Sequence, residues 1–313
     1  MSANADSNII YINRLLNASV AQVWAAWVDE AQVIQWWGPR GFSVTSRGKH
    51  VRPGGTWDYT MHGPDGTDYP NLATYHDVIP QALLVYDHGS DGTSPPLFRV
   101  RVEFTALGTQ TQMAMQMILP TAEAAQQIRG FVKQAGGDTT WDRLSEYLDK
   151  ATTGKEYFVI NRVFDASQEA MFAMWTEPHQ LTRWLPAFTT QEFIEADIRA
   201  GGRAFSKITD LYGTKYGLEE YLEITKPSRI VYVQQFTDKQ RKPLRHPQAP
   251  TWPLRMLTVV ELTAETATKT RVTLTWEPYG DTTDEEMAAF VAARGRLSQT
   301  WTTVFDKLET AAS

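Results

Sequence analysis

Three sets of side chains in this sequence have types and spacing that could do chemistry. His62, His76 and His88 fall on or near neighbouring period-two segments, and three imidazoles could hold a metal ion. No His-Glu-x-x-His pairing accompanies them, and His62 alternates away from Trp57, Tyr59 and Met61. The expectation is therefore surface or loop-lining histidines and no metal. Gly54-Gly55 and Gly201-Gly202 lack the surrounding pattern of a phosphate loop, so they are read as strand-opening turns. Arg99, Arg101 and Glu103 share one strand face and are read as a solvated ladder. No Gly-x-Ser-x-Gly elbow occurs, and no carboxylate pair stands alone in an apolar stretch. The chain has no cysteine, which excludes disulfides, thiol nucleophiles and thiolate metal sites. No catalytic residue is assigned and no cofactor is expected.

What remains is apolar chemistry. The sequence holds 11 Trp and 9 Met, many at alternating positions. Trp57, Tyr59 and Met61 alternate with Asp58, Thr60 and His62; Met113, Met115 and Met117 alternate with Ala114 and Gln116. Methionine is flexible and polarisable, which suits the wall of an adaptable apolar pocket better than a tightly specified core. Trp24 and Trp27, at helical spacing, are read as ordinary core.

The elements that must position these side chains are written twice. Arg14-Leu-Leu-Asn-Ala-Ser-Val-Ala-Gln-Val-Trp-Ala-Ala-Trp27 returns as Arg162-Val-Phe-Asp-Ala-Ser-Gln-Glu-Ala-Met-Phe-Ala-Met-Trp175. Trp36 answers Trp184, Arg52-Pro-Gly-Gly55 answers Arg199-Ala-Gly-Gly202, and Trp141 to Leu148 answers Trp301 to Leu308. A repeat of that length is a whole domain rather than a solenoid unit. The predicted domains are 1–151 and 155–313, joined by a short helix-ending segment, Ala151-Thr-Thr-Gly154. Extra residues in the second repeat fit a Pro-rich loop from Lys239 to Pro250. Within one repeat the pattern runs as strand, two short helices, a series of alternating strands, then terminal helix. Ile9–Ile12 is the first strand, ending at Asn13-Arg14, and Ser19 with Gln22 forms a capping box that opens the first helix. The last helical segments cover Thr121 to about Gln134 and the region of Trp141, Leu144 and Leu148; in the second repeat they start at Asp284 and near Leu297. Clean alternation means antiparallel strands with one buried and one wet face, and the fold class is α+β.

With 42% hydrophobic and 21% charged residues the chain reads as globular, and a net charge of −6 argues against nucleic acid as the main partner. No apolar run is long enough to span a membrane, and Met1 to Ser7 lack the basic and apolar regions of a signal peptide, so the expected location is cytoplasmic.

Arg14 before the Val-Trp-Ala-Ala-Trp helix, Trp36-Trp-Gly-Pro39 and Arg52-Pro-Gly-Gly55 together resemble the activator of Hsp90 ATPase homologue 1-like family, within the START-like, or SRPBCC, helix-grip superfamily. The resemblance runs from about residue 8 to 150 and, with Leu185-Pro186 in place of Trp37-Gly38, again from about 157 to 310. It implies two tandem helix-grip (Bet v1-like) domains, each a curved antiparallel sheet around a long C-terminal helix. It also implies an apolar cavity between sheet and helix, used in the superfamily for lipids, sterols, polyketides and other hydrophobic molecules. Some superfamily members are cyclases or aromatases. The eukaryotic co-chaperone that names the family binds its chaperone mainly through a separate domain with a Trp-His-Trp signature, which does not occur in this sequence.

The two repeats differ on the expected cavity walls. Trp57, Tyr59 and Met61 become Ala204, Ser206 and Ile208, while Met113, Met115 and Met117 become Val272, Leu274 and Trp276. Two cavities of different shape are expected. The leading reading is non-enzymatic binding of a small hydrophobic or aromatic molecule. Its lining would be Trp57, Tyr59, Met61, Met113, Met115, Met117, Ile208, Tyr221, Leu274 and Trp276, with Trp36 and Trp184 near the mouths. A cyclase or aromatase reading would use Tyr59, His76 or Tyr221 for proton transfer. A chaperone-associated, partner-binding reading would require an exposed apolar patch. The short linker permits the two domains to pack as an intramolecular pseudo-dimer.

Overall fold

The structure is a computed structural model that describes residues 8–89, 93–134, 139–186, 188–246 and 249–312. The chain divides after Gly154 into two compact units with the same element order. The first holds β1 (Ile9–Leu16), α1 (Val20–Val28), α2 (Glu30–Trp36), β2 (Ser43–Lys49), β3 (Thr56–His62), β4 (Asp68–Ile79), β5 (Leu83–Gly89), β6 (Phe98–Leu107), β7 (Gln110–Ile118), α3 (Ala122–Gln134) and α4 (Thr139–Thr153). The second holds β8 (Phe158–Phe164), α5 (Gln168–Thr176), α6 (Pro178–Leu181), β9 (Thr190–Ala196), β10 (Arg203–Asp210), β11 (Gly213–Thr225), β12 (Arg229–Thr237), β13 (Met256–Thr266), β14 (Lys269–Pro278) and α7 (Asp284–Ala312).

Each unit has one seven-stranded antiparallel sheet, ordered β1-β7-β6-β5-β4-β3-β2 and β8-β14-β13-β12-β11-β10-β9. The first strand closes against the last, so the intervening hairpins form a continuous meander whose apolar face the helices cover. β1 runs on through Asn13 and Arg14 to Leu16, rather than ending at Asn13-Arg14 as its apolar stretch suggests. Its backbone stays paired with β7 up to Leu16 opposite Thr111.

Local signals fix the entry helices. Ser19 accepts the Gln22 backbone N–H while the Gln22 side chain accepts from the Ser19 N–H, the reciprocal box its spacing predicts. Asp29 caps α2 by accepting from the Gln32 N–H. Both glycine doublets are backbone features: Gly54 and Gly201 have φ of +74° and +79°, and a Cβ on Gly55 or Gly202 would lie 2.0 or 2.1 Å from a carbonyl oxygen.

The terminal helices correct the sequence reading. In the second repeat the segments expected to start separately at Asp284 and near Leu297 are one 29-residue helix, α7. Nothing between them breaks the backbone ladder, since Gly295 is tolerated inside a long amphipathic helix that packs on β8 and α5. In the first repeat α3 and α4 are separate elements, and residues 135–138 lie outside the described residues. The Pro-rich segment from Lys239 to Pro250 joins β12 to β13; of it, residues 247 and 248 lie outside the described residues.

Arg143 on α4 ties the terminal helix to the Trp36–Phe42 turn. Its Nη1 donates to the carbonyls of Trp37, Gly38, Pro39 and Phe42 at 2.8–3.2 Å. Beside it, Arg40 and Glu146 form a bidentate pair at 2.9 and 2.5 Å. Burial and the neighbouring Arg40 lower the Arg143 pKa to about 10.

Candidate functional site on the inner sheet faces

In the first repeat Trp57 and Tyr59 stack at 3.9 Å and face inward from β3. Trp57 is opposite Lys49 and Tyr59 is opposite Ser46 on β2. A bulge between Ser46 and Gly48 makes this possible. Simple alternation from Val44 and Ser46 would send Lys49 to the wet face. Gly48, at φ +145°, adds the residue that turns Lys49 back in. The Lys49 Nζ sits 3.5 Å from the Trp57 ring centroid and donates to the Tyr75 hydroxyl at 2.8 Å. Desolvation pushes its pKa well below the lysine range, with Glu30 on α2 opposing that shift.

The space above β3 holds five indoles. Trp27 stacks on Trp141 at 5.9 Å, Trp36 and Trp37 meet at 5.2 Å, and Trp37 meets Trp57 at 5.2 Å. The Trp37 indole donates to the Tyr59 hydroxyl at 3.1 Å. Tyr59, Met113 and Met115 are fully or almost fully buried in this core, while Met61 and Met117 are part-exposed at its margin.

Trp36 and Trp184 do not stand near any mouth. Both are buried, and both indoles donate inward at 3.0 Å, Trp36 to the Ala26 carbonyl and Trp184 to the Met174 carbonyl. Trp36 pins α2 to α1, and Trp184 pins the turn after α6 to α5, which is why they recur. His76 also leaves the list of cavity polar groups: it lies exposed beside Asp87, with Arg99 on the same carboxylate.

His88 is the histidine that faces in. It follows Tyr86 on the inner face of β5, opposite Phe98, and stacks on that ring at 4.6 Å with 6.5 Å to Tyr59. Burial lowers its pKa to about 4, and its imidazole makes no hydrogen bond among the described residues. His62 contacts Thr45 and Asp68 rather than either of the other two imidazoles, and no group of three metal-ligating residues occurs among the described residues.

In the second repeat Ala204 is opposite Ala196 and Glu219, and Tyr221 is opposite Tyr232. The Tyr221 hydroxyl donates to Glu219 Oε2 at 2.9 Å. Desolvation raises the pKa of Glu219 and of both tyrosines. Gln191 Nε2 donates to Ser206 Oγ at 3.0 Å. On the opposite wall Leu274 is fully buried, whereas Trp276 is part-exposed, 5.5 Å from Trp301; Ile208 is also part-exposed.

Lys49 and His88 in the first repeat, and Glu219 and Tyr232 in the second, share one property. Each retains solvent-accessible surface, yet each is surrounded deeply enough that desolvation dominates its titration. A groove of about 670 Å³ runs between the start of α2 and β2, lined by Asp29, Glu30, Ile34, Val44 and Ser46 among others. Neither Lys49 nor Glu219 was picked out by sequence reasoning. The signal for Lys49 was Gly48 in mid-strand; for Glu219 it was period-two spacing from Tyr221.

Two seven-stranded antiparallel sheets, each with packed terminal helix, define tandem helix-grip domains of the α+β class. The family model described as activator of Hsp90 ATPase homolog 1-like protein matches residues 17–149 and again 165–313, and the chain belongs to that family. Among solved structures, an Arthrobacter aurescens protein is 22% identical, covering 48% of this chain and 90% of its own, with a TM-score of 0.43. A Nitrosomonas europaea protein is 20% identical over 49% of this chain and 99% of its own, TM-score 0.43. The di-domain ARO/CYC BexL, from the BE-7585A biosynthetic pathway, is 12% identical over 97% of this chain and 98% of its own, TM-score 0.39. No curated protein matches the chain. Among the described residues no helix is long and apolar enough to cross a membrane.

Proposed function

We propose that the chain binds small, predominantly apolar molecules inside its two helix-grip domains, and does so without chemical conversion. The observation that supports this reading is the set of deep but reachable inner-face groups, Lys49 and His88 in one domain and Glu219 and Tyr232 in the other. They stand among Trp57, Tyr59, Phe98 and Met117 in the first case, and Tyr221, Leu274 and Trp276 in the second. A few placed polar groups on apolar walls orient a ligand that hydrophobic burial holds. Since the walls differ, one ligand does not suit both domains.

Titration with N-phenyl-1-naphthylamine, a neutral aromatic fluorophore, tests the reading. Saturable binding is expected, with a smaller signal in Ala204→Trp, which places the bulk of Trp57 in the second domain. Absence of saturable binding to the unmodified chain would refute it.

The hydrogen-bonded carboxyl and phenol of Glu219 and Tyr221 favour a second reading, a cyclase-type enzyme in which this pair moves a proton. Glu219→Gln would then abolish turnover of a cyclisable substrate while leaving its binding intact.

A further inference from the structure

Backbone hydrogen bonds fix which residues of the two domains are equivalent. The Gly54 N–H donates to the Tyr75 carbonyl and the Tyr75 N–H to the Gly55 carbonyl; Gly201, Tyr221 and Gly202 repeat both bonds. The His50 N–H to the Thr56 carbonyl is matched by the Asp197 N–H to the Arg203 carbonyl. Lys49, Trp57, Ala73 and Tyr75 therefore correspond to Ala196, Ala204, Glu219 and Tyr221.

The comparison shows a charge inversion at one place. The first domain supplies its own cation: the Lys49 ammonium over the Trp57 ring, donating to the Tyr75 hydroxyl. In the second domain the amine and the ring beneath it are both reduced to methyl groups, at Ala196 and Ala204. A carboxyl, Glu219, has appeared where the first domain has the methyl of Ala73. Freed of the lysine, the Tyr221 hydroxyl turns its proton to Glu219. Glu219 makes no ion pair among the described residues. A carboxyl in an apolar interior without a cation is costly, and a cation delivered by a ligand removes that cost. The Tyr221 and Tyr232 rings, with centroids 5.6 Å apart, stand beside it, and aromatic faces attract an ammonium group. Phe193, opposite Ser206 where the first domain has Ser46 opposite Tyr59, adds a third ring to the same inner face.

We propose that the interior of the second domain is an amine-recognition site, taking an organic ammonium carried on an apolar body. The ammonium meets Glu219 and Tyr221 in the place that Lys49 holds in the first domain, and the apolar body lies over the buried Ala204, entering past the exposed Ala196. This rests on the reading that the interior is a ligand site.

The test uses the full chain and two probes of nearly equal shape, 2-phenylethylamine and 2-phenylethanol, by isothermal titration calorimetry. The amine is expected to bind at least about tenfold more tightly, as one charge-assisted contact provides. In Glu219→Gln the preference disappears while alcohol binding remains. In Ala196→Lys, which restores a tethered ammonium, amine binding falls about tenfold or more. Equal binding of the two probes to the unmodified chain overturns the amine inference and leaves the cavity reading standing. Binding of neither probe overturns both. Should Glu219→Gln or Ala196→Lys fail to fold, as shown by circular dichroism, the two-probe comparison on the unmodified chain still decides.

Discussion

At the residue scale the first domain contains two basic groups whose pKa burial lowers, Lys49 and His88, and each has a consequence for stability. His88 has its pKa lowered to about 4, against about 6.5 for an unfolded histidine. Between these values the unfolded chain binds the proton and the folded chain does not. The stability associated with His88 is therefore complete above about pH 6.5 and is lost as the pH falls toward about 4, by up to roughly 3 kcal/mol. Urea denaturation of the chain and of His88→Gln at pH 7, 5 and 4 reads this: the stability difference between them shifts in favour of the variant as the pH drops. Lys49 has the same sign with a larger reach, since its folded pKa lies well below that of an unfolded lysine. At neutral pH the unfolded chain holds the proton more readily, so the lysine costs stability. Lys49→Met is expected to raise the melting temperature, by on the order of 1 kcal/mol of stability, after loss of the Tyr75 hydrogen bond is allowed for. A lower melting temperature would mean that the ring and hydroxyl contacts outweigh desolvation.

At the element scale, the device that closes the first domain is the contact between α4 and the Trp36–Phe42 turn. One guanidinium nitrogen of Arg143 lies within hydrogen-bond reach of four carbonyls, of which that of Pro39 also accepts from the Phe42 N–H. Arg143→Met keeps the stem but takes this donor from the Trp37, Gly38 and Phe42 carbonyls in a half-buried turn, and should cost about 2–4 kcal/mol in urea denaturation. The first domain should lose its cooperative transition earlier while the second is unchanged, because the position equivalent to Arg143 is Thr303 and the turn there is held otherwise, by Lys307 donating to the Leu185 carbonyl at 3.0 Å. The elements also show what was legible beforehand. The capping box, the Gly-Gly turns, the α+β order and the alternating faces all follow from nearest-neighbour chemistry, and they stand in the structure as their spacing predicts. The length of α7 was not legible, because the apolar pattern weakens around Gly295 and continuity is decided by packing on β8 and α5. The two indoles expected at the mouths were misplaced for a related reason: Trp36 and Trp184 find carbonyl acceptors ten residues back, a contact no periodicity reveals. Lys49 and Glu219 were hidden by a bulge and by a charged neighbour, Glu220, that pairs with Arg203 and Arg255 on the outer face.

At the scale of the whole molecule, duplication has kept the scaffold and changed the interior. The paired Arg14 and Arg162, Trp36 and Trp184, and the glycine doublets hold equivalent backbone positions. The inner walls have diverged in size and in charge, from Lys49 with Trp57 to Glu219 with two alanines. The proposal that the two domains take ligands of different chemistry rests on that divergence, and its central claim is that these interiors are occupied. Native mass spectrometry of the full chain purified from its own host tests it most directly. The account predicts an intact mass above that of the polypeptide, the excess being released on denaturation as one or more small, mainly apolar molecules. A bare polypeptide mass in repeated preparations, together with no change of melting temperature on adding hydrophobic compounds, would contradict it.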